Sequence, residues 1–406
     1  MSCYQYLCAA FLLVCVAACS SDTAPSRARP HRSHADTAGD VEESATDATR
    51  SDDNASEANP GEPLLGDPRH GDDLPGSDPH QGDPNGGDTH AGDSMLGDSM
   101  LGDPMLGDPA AGDPGPVDTG FDPEPLRAGP FTVLFDNSHG EDAGNADWVI
   151  DDDYPSPLPA NPTSAEDWSG AFSSWGYDLY VSGRYQVQTL GAGGRLTYND
   201  GSNSQDLSNY DLLVLPEPNN PLSLADKTAI LSFVEAGGGL FLVADHAGAD
   251  RDADGWDARM VLNDLMNNNG RANNIFGIQF NGNSFTDHPI TQLANLPQSR
   301  VLHGPFGEVT GLSIYAGTSM ALDAAHAGIR GLIWRTNFPN DMRYANFASS
   351  RFGQGRIIAV GDSSPADDGS ANPGNSEIYV SWNEVGVTNN ILFLNASAWL
   401  VRDAGP

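Results

Sequence analysis

The chain has 406 residues, but 15 of its 29 Pro crowd into the first third, so one folded domain is the expected count. Its formal net charge is −37, from 56 Asp plus Glu against 19 Lys plus Arg, and that field repels phosphate backbones, which argues against nucleic acid as a partner. All four cysteines, Cys3, Cys8, Cys15 and Cys19, lie in the first 19 residues, which excludes disulfides, thiolate metal sites and cysteine nucleophiles from the region beyond.

Tyr6 to Ala18 is an apolar run of 13 residues, too short for a finished transmembrane helix and of the right length for a signal-peptide core. The string Val16-Ala17-Ala18-Cys19 that closes it resembles the lipobox of bacterial lipoproteins. The resemblance implies a lipoprotein signal peptide over 1–18 and a diacylated, palmitate-type anchor on Cys19, so that the membrane is met through lipid. An ordinary secretory signal cut after Ala18 is the alternative. Ser20 rather than Asp follows the cysteine, which by the sorting of lipoproteins implies the outer membrane of a bacterial cell envelope.

Residues 19–127 are Asp, Gly, Pro, Ser and Ala with almost no aromatic residue, a composition that predicts a disordered acidic tether. Gly-Asp recurs every five residues at Gly92, Gly97, Gly102, Gly107 and Gly112, a period that fits a spacer and could also hold calcium loosely.

From 128 to 406 aromatic and β-branched residues return, and apolar strands alternate with helical stretches. Phe131 to Phe135, Asp211 to Leu215, Leu240 to Ala244 and Arg356 to Val360 read as strands buried on both faces. Ser223 to Ala236 reads as a crossover helix opened by a Ser223/Asp226 capping box and stopped by Gly237-Gly238-Gly239. A last helix is expected over Thr388 to Val401, with Phe276 to Phe280 and Gly331 to Trp334 as strands of unassigned order. The fold class is therefore α/β, a mostly parallel sheet with helices on both faces.

The string Tyr210-Asp211-Leu212-Leu213-Val214-Leu215, then a helix, then Gly237-Gly238-Gly239-Leu240-Phe241-Leu242-Val243, resembles the class I glutamine-amidotransferase-like superfamily. Asp287-His288-Pro289-Ile290-Thr291 and Gly355 to Ser363 extend the resemblance, which covers about residues 130 to 402. It implies a flavodoxin-like sheet. The amidotransferase cysteine is absent, because Asp245-His246 follows the strand where it would stand, so the resemblance carries no glutamine hydrolysis.

In open α/β sheets ligands bind beyond the carboxyl ends of the strands, and here those positions are polar. Asp136 and His139 follow the first strand, Glu217 the second, Asp245 and His246 the third, and Asp362, Ser363 and Ser364 the last. His139, Asp245, His246, Asp362 and Ser363 are the catalytic candidates, as bases, ligands or members of a Ser-His-Asp set that lacks the G-x-S-x-G elbow. Each Asp also reads as a helix cap or turn closer, and His288 and His303 as loop histidines.

Asp250-Arg251-Asp252-Ala253-Asp254-Gly255-Trp256-Asp257 reproduces the D-x-D-x-D-G half of a calcium loop. Val261 stands where the closing Glu would be, so Asp245 or Asp257 would have to complete the set Asp245, Asp250, Asp252, Asp254 and Asp257. An acidic loop that caps the next helix is the alternative. Calcium or another hard divalent cation is the expected cofactor, and no nucleotide cofactor is indicated. Two functions remain open, a cation-stabilised binding module for a glycan or envelope partner, and a metal-dependent hydrolase.

Overall fold

The computed structural model describes residues 124–152, 161–371 and 379–405, all within the compact unit Gly102–Pro406. The signal peptide, Cys19 and the tether up to residue 123 lie outside them. Strands β1 (Phe131–Asp136) and β2 (Tyr185–Leu190) flank helix α1 (Ser173–Val181). They are followed by β3 (Leu212–Pro216), α2 (Leu224–Glu235), β4 (Gly239–Val243) and α3 (Ala258–Asn267). A β-rich stretch comes next: β5 (Ile278–Phe280), β6 (Phe285–Ile290), β7 (His303–Gly304), β8 (Gly307–Glu308), β9 (Leu312–Gly317), β10 (Met320–Leu322) and β11 (Arg330–Trp334). The long hairpin β12 (Ala345–Phe352) and β13 (Gly355–Val360) precedes α4 (Asn389–Val401).

The main sheet runs β2-β1-β3-β4-β13-β12-β10-β5, with β11 also paired to β12. Its first five strands are parallel and the rest antiparallel, so the parallel part has the 2-1-3-4-5 order of flavodoxin-like folds. The expected α/β class with a mostly parallel sheet is what is found. The four strands read from sequence are neighbours in the order β1, β3, β4, β13, each within one residue of its expected bounds.

Strand periodicity explains the layering. Val133, Phe135, Phe241 and Val243 point to one face, where Trp175 of α1 and Leu392 and Phe393 of α4 cover them. Leu134, Leu240 and Leu242 point to the other, under Ile230 and Val234 of α2 and Leu262 and Leu265 of α3. Trp175 is the hub of the first layer, edge-on to Phe135, Phe241 and Phe393 at 5.0, 4.9 and 5.0 Å.

Helix α2 starts as expected: Ser223 accepts from the Asp226 N–H at 3.2 Å, and Asp226 accepts from the Ser223 N–H at 2.9 Å. Helix α4 is buried almost all round instead of on one stripe. The β7–β8 hairpin closes its outer side, where buried Asn395 accepts from Phe306 N–H at 2.9 Å and donates to Gly307 O at 2.9 Å.

Glu124, inside the segment expected as tether, packs against the domain. Its carboxylate meets Arg351, Arg356 and Arg402, and Arg127 pairs with Asp211 at 2.7 Å. Polar residues at 124 and 127 gave no hydrophobic signal for this. Among the described residues no helix is long and apolar enough to cross a membrane.

Candidate functional site at the carboxyl ends of the strands

Because β1, β3, β4 and β13 lie side by side, Asp136, Glu217, Asp245 and Asp362 emerge at one end of the sheet, and all four are buried. Beyond β1 the chain folds into a tight turn. Asp136 accepts from Ser138 N–H at 3.0 Å and Ser138 Oγ–H at 2.6 Å, and its other oxygen lies 2.7 Å from His139 Nδ1. Nε2 of His139 faces Asp226 at 3.7 Å, at the start of α2. Burial opposes charge on His139, but Asp136, with help from Asp226 and Glu141, overrides it and pushes the imidazole up to about 11. Burial and the Asp136 charge push Glu141 well above the usual carboxylate range.

Beyond β3, Glu217 sits in the left-handed region at φ 56°, a strained position for a residue with a side chain. Its Oε1 accepts from Arg251 Nε at 3.0 Å, while Arg251 Nη2 donates to Asp245 at 2.8 Å. One guanidinium thus bridges two strand ends. Gly144 is required where this loop crosses the β1 turn, since a Cβ there would lie 2.2 Å from Arg251 O. Burial, then Glu217 and Asp362, hold Asp245 well above the usual carboxylate range against the pull of Arg251. Burial likewise pushes Asp362 up to about 7, although it accepts from Ser364 N–H at 3.0 Å and Tyr315 N–H at 2.5 Å.

An aromatic wall adjoins Asp362. The rings of Tyr315 and Tyr379 stack at 5.4 Å and 17°, and His288 lies 4.6 Å from Tyr315. Tyr315 Oη–H donates to Glu384 at 2.8 Å, and Ser313 Oγ–H donates to its other oxygen at 2.6 Å. Tyr315 and Glu384 are 69 residues apart and belong to no motif, so nothing in the sequence pairs them. Glu141 and the bridging role of Arg251 were also missed. A His-Gly-Glu string just past a strand end was the available signal for Glu141.

The acidic loop divides. Asp250, Asp252 and Asp254 come together, with one oxygen of each within 4.8 Å of the others, and Asp252 and Asp254 are exposed. Asp257 instead caps α3, accepting from Met260 N–H at 2.9 Å, and also accepts from Gly248 N–H at 3.0 Å and pairs with Arg259. Asp245 is committed to Arg251. His246 is half-buried, with Nδ1 2.9 Å from Ala247 O and Nε2 4.0 Å from Asp245. Ser363 and Ser364 are buried, and among the described residues no hydrogen bond joins Ser363 to a histidine; Ser364 Oγ–H donates to Tyr315 O at 3.2 Å. His303 pairs with Glu308 across the β7–β8 hairpin, a local structural role.

A groove of about 380 Å³ at the other end of the sheet, beside Tyr210, Asp211 and Gly238, holds Arg127 and Arg402, whose charges meet Asp211 and Glu124. It lies away from the perturbed carboxyl groups.

No protein-family model matches the chain, and no curated protein matches its sequence. Similar solved structures include a protein described as ThuA-like from Parabacteroides merdae, 15% identical over 68% of this chain and 90% of that one, with a TM-score of 0.36. A cytoplasmic protein of Salmonella typhimurium is 12% identical over 66% of this chain and 98% of that one, with a TM-score of 0.39. A β-galactosidase from Rahnella sp. R3 is 15% identical over 68% of this chain, which covers 31% of the enzyme, with a TM-score of 0.35. With TM-scores below 0.5, these likenesses do not bear on activity. The sheet order itself carries the flavodoxin-like assignment.

Proposed function

We propose that this chain is an envelope lipoprotein, anchored through Cys19, whose α/β domain is a binding module for a hydroxyl-rich glycan. The observation that supports binding is the pairing of the acidic crevice with the Tyr315/Tyr379 wall. Aromatic faces take the apolar face of a sugar ring, and the partly exposed Glu384 beside Tyr315 can accept from its hydroxyls. The engagement of Asp362 by backbone N–H groups and of Glu217 and Asp245 by Arg251 fits a rigid recognition surface.

Calcium on Asp250, Asp252 and Asp254 would steady the loop that carries Arg251. Binding only to the folded form stabilises by RT ln(1 + [L]/Kd), about 2.7 kcal/mol at a hundredfold excess over Kd. The test is a glycan panel, read by calorimetry and by melting temperature in calcium and in chelator. A glycan should raise the melting temperature of the parent and not of Tyr315→Ala, and Asp252→Asn with Asp254→Asn should erase the calcium response. Cys19→Ser should move the protein from the membrane to the soluble fraction.

A metal-dependent hydrolase using Asp136, His139, Asp245, His246 and Asp362 is the second reading. Asp362, held near neutral pH beside Asp245, favours it, since that is where a proton-transfer group works best. Chelator-sensitive turnover of ester, glycoside or phosphate substrates, with no glycan held without turnover, would replace the first reading by this one.

A further inference from the structure

The turn after β1 holds a second cluster, which shares Asp136 and His139 with the hydrolase reading and is not needed for glycan recognition. Asp136, His139 and Glu141 are all buried, and one potential ligand atom from each lies within 4.8 Å of the others. Glu141 Oε2 accepts from His139 N–H at 2.7 Å, but Oε1 is buried and has no hydrogen-bond partner among the described residues. A carboxylate oxygen in that situation is costly unless something positive meets it.

The turn is fixed by its own backbone. His139 O accepts from Asn219 and Asn220 N–H at 2.8 and 2.7 Å. Gly140, at φ 80°, lets the chain reverse so that Glu141 folds back on His139; a Cβ at 140 would lie 2.7 Å from Asn220 Nδ2. Ser138 meanwhile orients Asp136 through two hydrogen bonds. The three side chains are thus presented by a preset loop at the end of β1, which is how ligands are held for an ion.

We propose that Asp136, His139 and Glu141 form a binding site for a first-row divalent transition ion of the zinc class, with Glu141 Oε1 as one ligand atom. One imidazole nitrogen and two carboxylate oxygens suit zinc and its neighbours, whereas calcium takes six to eight oxygens. Zinc bonds of about 2.0–2.2 Å place ligand atoms about 3.4 Å from one another, a spacing that falls inside the 4.8 Å span of the cluster. Three protein ligands leave a fourth position for water or an incoming group. The site differs in chemistry from the all-oxygen set of Asp250, Asp252 and Asp254 and rests on nothing in the glycan reading.

The test titrates the full chain with zinc by calorimetry and with cobalt by visible absorption and proton NMR, for the parent, Glu141→Gln and the Asp252→Asn/Asp254→Asn pair. One zinc per chain is expected, weakened about a hundredfold or more in Glu141→Gln, unchanged in the loop pair and not displaced by an equal concentration of calcium. The cobalt form should show one strongly shifted imidazole N–H proton, which decides the matter on the parent even if Glu141→Gln fails to fold. No uptake by the parent, no shifted imidazole proton, or zinc lost only with the loop pair would overturn the site.

Discussion

Arg251 is the residue on which most of the crevice depends. It lies in a loop between Asp250 and Asp252, yet its side chain turns inward, bridges Glu217 and Asp245 and comes within 5.9 Å of the Trp148 ring. Removing one partner of a buried ion pair leaves uncompensated charge and costs about 3–5 kcal/mol. Arg251→Met should therefore lower the unfolding free energy read from urea denaturation by an amount of that order. Adding Glu217→Gln and Asp245→Asn should restore part of it, and a triple variant no more stable than the single one would show that the bridge is not the cause. In sequence Arg251 was the x of a D-x-D pattern, because nothing local distinguishes an inward arginine from a solvated one.

Among the elements, α2 shows how far local chemistry carries. Its capping box, apolar face and glycine stop are all short-range signals, and its bounds follow them. Ser223→Ala should cost about 1 kcal/mol in chemical denaturation, the usual worth of an N-cap, and leave the crevice chemistry in place. A loss below about 0.3 kcal/mol would show that Asp226 and the packing of α2 hold the helix start without the hydroxyl. The missed elements were those whose signals are long-range. β2 is an edge strand with polar Gln186 and Gln188, and β12 contains Ser349, Ser350 and Arg351, so neither reads as a buried strand until its neighbours are placed.

At the scale of the whole molecule, the buried acids set a pH dependence. Burial raises Asp362 to about 7 and Asp367 to about 8, and raises Asp245 as well. In the unfolded chain such groups titrate near 4. Their contribution to stability is therefore full below about pH 4 and is lost as pH rises through the folded values. Asp206, held down to about 2 by Ser208 and Thr197 against its burial, works the other way and loses its contribution only as pH falls below 4. The melting temperature should be highest near pH 5 and fall toward pH 8, by an amount on the order of a few kcal/mol in stability. A flat or rising profile would mean that the three acids are solvated more than the packing indicates.

The sequence alone determined the fold class, the four central strands with helices α2 and α4, and which strand ends carry acids, because apolar runs, caps and glycine stops act within a few residues. It also carries the expectation of a lipid anchor on Cys19, where the signal is a short string read by a processing enzyme. Only the tertiary structure decided who meets whom. It joined Asp250, Asp252 and Asp254 but committed Asp257 to the α3 cap and Asp245 to Arg251. Among the described residues it joined Ser363 to no histidine by a hydrogen bond, and it set Tyr315 beside Glu384 and Tyr379. Such pairings depend on strand order and loop path, and a carboxylate's sequence looks the same whether its partner is water, a backbone N–H or a buried arginine.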